Sequence, residues 1–302
     1  MAAGTASYSD ISSVVNDIQL DSIAVARMAN LLIPTVTQYS AVGMNPRKLQ
    51  QWAEVDFSVH TEETDEASQA FTKSALATLQ PVNYHARADL TDERVASDWD
   101  NVRSALALEF GSGSAKHVDK AIAALFGTAS ALGGTIGPSG AGTAANGTIT
   151  WRAITKGLAL LQNLNIPQGS PVYCAIHPYQ WEVLLSSNSI AAATVSVAPG
   201  YQDRMTSSGG FFNIPQFVGV TFIVTNSITI TGTAAGAQGT IGYGAIYVPQ
   251  AFAVDTRKGF SIEPQRDASK QAWELNASMW YVAGVLDPKK AVLLRHQAVA
   301  PS

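Results

Sequence analysis

The sequence predicts an α+β protein in which a long helix lies on a sheet of long strands. Three observations predict it. Residues 91–126 carry apolar side chains at helical spacing, and residues 270–285 alternate with a period of two. Only 14% of the 302 residues are charged, against about 25% in ordinary soluble proteins. The first two supply a rod and a strand long enough to support it. The third points to surface hidden against other subunits, because charge is depleted at interface cores, the alternative being a merely Ala- and Gly-rich chain.

Taken in order, residues 1–9 are small and polar. From Asp10 a helix is predicted. Ile11, Val14, Val15, Ile18, Ile23 and Met28 recur among polar positions, and Leu31, Leu32 and Ile33 close the run before Pro34 ends it. It is either an arm packed on a neighbour or an ordinary core helix. Residues 49–59 and 76–90 read as two strands of a long hairpin, with a polar, acidic tip at 61–73. Glu54, Asp56, Glu62, Glu63, Asp65 and Glu66 place six carboxylates in 13 residues with no Lys or Arg among them. An isolated hairpin is marginal in water, so this one is expected to lie across another surface. The alternative is a solvated acidic loop.

Thr91 and Asp92 suit a helix start. Val95, Trp99, Val102, Leu106 and Phe110 then form one stripe, which Gly111 and Gly113 interrupt. Ser114 can restart it, and Val118, Ile122, Leu125 and Phe126 continue it. The reading is one helix with a break, or two end to end. About 33 helical residues span roughly 50 Å. Residues 127–148 are almost wholly small or turn-forming, and read as a flexible link. Thr150 caps a helix with Ile154, Leu158, Leu161 and Leu164 on one face, stopped by Pro167 and Gly169.

The run at 172–176 is a buried strand, and Pro178 opens a helix carrying Trp181, Leu184 and Leu185. A loop at 190–213 precedes strands at 217–224 and 241–248, with a Gly-rich turn at 231–239 between them. Short strands follow at 251–255 and 260–263. In the long strand at 270–285, Trp273, Leu275, Ala277, Met279, Tyr281, Ala283 and Val285 share one face, and Glu274, Asn276 and Ser278 the other. After the Asp287-Pro288 turn, 291–294 is expected to pair with it as a hairpin.

No catalytic set is legible, and the reading is of a non-enzyme without metal or cofactor. There is no phosphate-cradling Gly-x-x-x-x-Gly-Lys loop, no Gly-x-Ser-x-Gly elbow and no pair of histidines at metal-ligand spacing. Cys174 and His177 are the nearest approach to a nucleophile and base, but read as a buried thiol beside a helix-start histidine. Glu62 and Glu63 imitate a carboxylate pair only on a wet loop. A single cysteine excludes an intramolecular disulfide. No basic-then-apolar leader opens the chain, so intracellular production is expected. No apolar run approaches the roughly 18 residues of a membrane span. The net charge of −4 speaks against strong autonomous nucleic-acid binding.

The order of parts carries a resemblance. It runs from apolar helix through outreaching hairpin, long helix, Gly-rich link and mixed domain to long closing strand. With the segments ALATLQPVNYHARADLTDE, VYCAIHPYQWEVLL and DASKQAWELNASMWYVAGVLDPKKAVLL, it resembles the major capsid proteins of tailed double-stranded DNA bacteriophages, those of the Hong Kong 97-type fold. The resemblance implies an N-terminal arm at 1–48, an extended hairpin loop at 49–90 lying over an adjacent subunit, and a peripheral domain at 91–149 and 249–302 with the spine helix. It places an axial domain at 150–248. It further implies hexamers and pentamers in an icosahedral virion shell, assembled in the host cytoplasm around DNA held without sequence readout. Scaffolding, portal and cement proteins are the implied partners. The chain starts almost at the arm, which implies a separate scaffold or prior cleavage. Lys73 lies in the hairpin, but nothing identifies a cross-linking partner for it. From charge alone, Arg257, Lys258, Arg266, Lys289 and Lys290 are the candidates to meet the acidic hairpin of a neighbour. The rivals are an encapsulin-type compartment shell, an enzyme built on 150–248, and a secreted adhesin.

Overall fold

The computed structural model describes residues 21–25, 30–52, 73–93, 99–127, 132, 134–137, 147–164, 166, 169–186, 219–231 and 240–298. In chain order the elements are β1 (Thr37–Ser40), β2 (Arg47–Trp52), β3 (Lys73–Leu79), β4 (Val82–Thr91), α1 (Trp99–Phe126), β5 (Thr135–Ile136) and α2 (Trp151–Gln162). There follow β6 (Val172–Ile176), α3 (Pro178–Ser186), β7 (Val220–Val224), β8 (Ile230–Thr231), β9 (Ile241–Tyr247), β10 (Phe252–Asp267), β11 (Ala272–Val285) and β12 (Ala291–Gln297). A first sheet has the order β1-β10-β11-β4, a second β5-β12-β9-β6-β7 with β8 on β9, and β2 with β3 forms a separate ribbon.

The long helix is a single 28-residue rod, so the expected break is absent. Gly111 has another purpose. A Cβ there would stand 2.5 Å from the Ser22 carbonyl oxygen and 2.7 Å from Val25 Cβ. The missing side chain admits the helical 21–25 segment against α1. The described part of the apolar N-terminal stretch thus rests on its own chain, and Leu32 is fully buried there. Thr91 does not start the helix: it closes β4, opposite Ala272.

Three other expectations are corrected. The strand at 76–90 is two strands, because the Gln80-Pro81 step cannot continue a ladder. β3 pairs with β2, and β4 pairs with β11. The hairpin at 49–90 is therefore rooted in two different sheets, and its residues 53–72 lie outside the described ones. The short strands at 251–255 and 260–263 are one 16-residue strand, β10. Its polar middle is accommodated by register shifts at Thr256/Lys258 and Lys258/Ser261 rather than by a turn. Finally, β12 is not a hairpin partner of β11. It crosses to the second sheet and lies between β9 and β5. β5 itself arises inside the stretch that reads as a flexible link. Segment 150–248 alone therefore does not complete its sheet.

The second sheet is buried on both faces, which explains its continuous apolar runs. On one side Cys174, Ile176, Ile246, Val292 and Leu294 meet Ile154 and Leu161 of α2 and Trp181 and Leu184 of α3. Thr150 caps α2 as expected, its Oγ1 accepting from the Ala153 amide at 3.3 Å. On the other side Ala175, Ala245, Tyr247 and Ala291 join Val118, Ile122 and Phe126 of α1 and Phe252 and Val254 of β10. The C-terminal half of α1 is thus wedged between the two sheets. Its N-terminal half lies on the first sheet, with Ala107, Leu106 and Phe110 on Ile262, Leu275 and Ala277.

Candidate functional site

Buried ionic groups mark the places where surface segments are fastened to the body. The root of the hairpin is one such place. Asp255 of β10 is fully buried, and its Oδ2 accepts from Arg47 Nε at 2.9 Å and Arg257 Nη2 at 2.8 Å. Arg47 opens β2, stacks over the Tyr39 ring at 4.8 Å and donates to the Ser40 carbonyl at 3.1 Å. Arg257 donates to the Gly43 carbonyl at 3.3 Å. A buried carboxylate needs such partners to be tolerated. Here they fasten the β1–β2 connection, and with it the start of the β2–β3 ribbon, to the first sheet.

The N-terminal segment is held by Asp119. Its two oxygens accept from the Leu31 amide at 3.0 Å and the Leu32 amide at 3.1 Å. Burial raises its pKa, and the two amides partly offset that. Thr35 Oγ1 and the Tyr247 hydroxyl meet at 2.7 Å just beyond. Asp119→Asn turns an NH2 toward one of those amides. It is expected to cost about 1–3 kcal/mol, the usual penalty for an unsatisfied buried group. Hydrogen exchange at Leu31 and Leu32, with the urea midpoint, measures it. Unchanged exchange would refute the clamp.

Of the residues singled out by charge, Glu54, Asp56, Glu62, Glu63, Asp65 and Glu66 lie outside the described residues. The basic ones are mostly engaged within the chain. Arg257 is committed to Asp255, its side chain only 5% exposed. Lys258 Nζ donates to Glu263 at 2.9 Å and Ser278 at 3.1 Å. Arg266 holds Asp92 through two bonds, of 2.6 and 2.5 Å, which lower the Asp92 pKa. Lys290 donates to Gln250 at 2.8 Å. Lys289 is exposed beside it. The structure thus does not gather these five into one patch. Sequence reading missed Asp119 and Asp255, although each left a trace. Asp119 stands on the apolar face between Ala115 and Ile122, and Asp255 sits at the end of the apolar run 251–254.

Cys174 is fully buried and its thiol is pushed well up by desolvation, which makes it a poor nucleophile. His177 Nδ1 accepts from the Tyr179 amide at 3.2 Å at the start of α3. Gln180, also buried, accepts from the His177 amide and donates to the carbonyls of Gly242 and His296. Burial lowers the pKa of both His177 and His296. A depressed folded value means that the neutral ring is the one the fold keeps. The stability is then present above the ordinary histidine value of about 6.5 and is lost as pH falls through the folded values. Lowering pH from 7 to 5 is expected to reduce stability by up to about 1.4 kcal/mol per pH unit for each proton taken up. Denaturant melts at several pH values test this, and His177→Asn with His296→Gln should flatten the slope.

Two cavities of about 280 Å³ each lie beneath α1, one edged by Phe110, His117 and Phe260 and one by Ile23, Val118 and Tyr281. Among the described residues no group of three or more His, Cys, Asp or Glu could hold a metal, and no helix is long and apolar enough to cross a membrane.

A rod-like helix on long strands, a separate two-stranded ribbon and a second sheet sandwiched between helices define the Hong Kong 97-type class of shell-forming proteins. A family model described as phage capsid protein matches residues 77–294, most of the chain. The chain belongs to that family: it is a bacteriophage major capsid protein, a structural subunit of the virion shell. No curated protein sequence matches it significantly. Among solved structures it is similar to the capsid of the cyanophage P-SCSP1u, with TM-score 0.66, 18% identity, and 88% of this chain and 87% of that one covered. It is also similar to the capsid of Ralstonia phage GP4, with TM-score 0.67, 9% identity, and 89% and 88% covered. A virus-like particle from Pyrococcus furiosus aligns with TM-score 0.55 and 10% identity, over 92% and 98% of the two chains. At these identities the likeness is one of fold.

Proposed function

We propose that copies of this chain assemble as hexamers and pentamers into an icosahedral head that encloses double-stranded DNA. The observation that carries the proposal is the capsid family match across residues 77–294. The hairpin leaves the body at the buried Asp255 and lies over the adjacent subunit, and its six carboxylates set register there rather than strength. Exposed ion pairs are worth about 0–1 kcal/mol each, but many simultaneous contacts in a closed shell add up. Lys289 and the more exposed edges of Lys258, Arg266 and Lys290 are the basic side chains they meet. The axial domain is residues 150–248 completed by β5 and β12, and the peripheral domain is α1 with the first sheet. DNA is packed without sequence readout, in keeping with a net charge of −4. Scaffolding, portal and cement proteins complete the head in the host cytoplasm.

Electron microscopy of the purified protein tests the shell, and its contents separate a DNA head from an encapsulin-type compartment with protein cargo. Reversing the charges at Glu62, Glu63, Asp65 and Glu66 is expected to leave the subunit folded and to reduce closed shells, most strongly at low salt. Shells unaltered in number and shape would remove the hairpin charges from the mechanism.

A further inference from the structure

The first sheet has two outer edges, and the chain treats them differently. β1 covers β10 only as far as Ser40 opposite Thr256. Beyond that, β10 carries two register shifts together with Gly259 and Pro264. These are devices that prevent another strand from adding. β4, at the opposite edge, has none of them. It keeps unbroken register with β11 from Val82 opposite Tyr281 to Thr91 opposite Ala272. It contains no proline or lysine, and no strand pairs with its outer side among the described residues. The Asp92 amide donates to the Gln271 carbonyl at 3.0 Å, so that opposed pair is a hydrogen-bonded one. Backbone direction alternates along an antiparallel strand. Asn83, His85, Arg87 and Asp89 therefore turn their amides and carbonyls outward.

The side chains on this edge are complementary to themselves. Arg87 and Asp89 are exposed, share a face and are bonded at 3.0 Å within the chain. Setting two β4 strands antiparallel with Ala88 opposite Ala88 of the second copy brings Arg87 opposite Asp89 of the second copy, and the reverse. A one-residue slip in the pairing would set outward backbone groups against inward ones. A slip of two would put Arg87 opposite Arg87, or Asp89 opposite Asp89. Like charges directly opposite are destabilising, so one register is selected.

We propose that β4 is a two-fold interface, where two copies of the chain join their first sheets into one by antiparallel pairing about Ala88. The proposal rests on the shell reading above and names one of its contacts. Ala88 occupies a non-hydrogen-bonded position in the new pair, where Cα atoms approach to about 4.5 Å, a separation that a disulfide spans. Cys174 is fully buried, so the unaltered chain stays silent to surface oxidation. Mild oxidation of shells carrying Ala88→Cys is expected to give covalent dimers on a non-reducing gel. Asn83→Cys is expected to stay monomeric, since the two cysteines would then be about 34 Å apart along the strands. Monomer only from A88C shells, or equal dimer from both variants, overturns the proposal. Absence of shells from the unaltered protein would instead overturn the shell reading.

A second experiment reads the charges. Arg87→Asp and Asp89→Arg, each alone, face like with like and are expected to give about tenfold fewer shells. Co-expressing the two restores the opposition between chains but not within either chain, and is expected to restore shells. Full shell yield from either variant alone, or no recovery on co-expression, refutes the contact.

Discussion

Phe126→Ala is expected to lower stability by about 3–5 kcal/mol, the range for emptying a fully buried aromatic site. Phe126 is 0% exposed and closes α1. Its ring lies 5.6 Å from that of Tyr247 in β9 and 5.2 Å from that of Phe252 in β10. One side chain thus joins the helix to both sheets. Phe126→Leu keeps most of the volume and is expected to cost much less. Chemical denaturation of the two variants decides this. If alanine and leucine behave alike, with little loss from either, the junction is not where the two sheets are held together.

Asp255→Ala is expected to cost a similar amount, about 3–5 kcal/mol, for a different reason. Removing one partner of a buried ion pair leaves an uncompensated charge. Here the buried one is Arg257, 5% exposed, while Arg47, which shares the same carboxylate oxygen, is 28% exposed and keeps contact with water. Faster hydrogen exchange across β2 and β3 should accompany the loss, because the hairpin root loses its fastening. Replacing Asp255 and Arg257 together by apolar residues should recover part of the stability without restoring the slow exchange of the root. Recovery of both would mean that the triad only fills space. Slow exchange retained in D255A would mean that the ribbon is held elsewhere.

Much of the architecture is legible without coordinates, and the parts that are not have identifiable causes. The cap at Thr150, the start of α3 at Pro178 and the alternation along β11 are local signals, and the structure keeps them. The misreadings are places where a local signal had two meanings. Gly111 looks like a helix break, yet it is a gap filled by Ser22 and Val25 of a distant segment. The polar step at 256–259 looks like a gap between two short strands, yet β11 carries β10 through it by register shifts. Pro81, which has no amide hydrogen for a ladder, divides the run at 76–90 into β3 and β4. The carboxylates that organise the surfaces were passed over because an acid in an apolar setting reads as a boundary until its partners are known.

The residues by themselves determined the class of fold and the rod-on-sheet plan, because periodicity and caps are written along the chain, and the order of those parts carried the resemblance to a family. Only the tertiary structure decided which strands are neighbours. It sent β12 to the second sheet, bound Arg257 inside the subunit and left β4 at a sheet edge among the described residues. Strand pairing depends on contacts between segments far apart in the chain, and spacing within a segment carries no record of them.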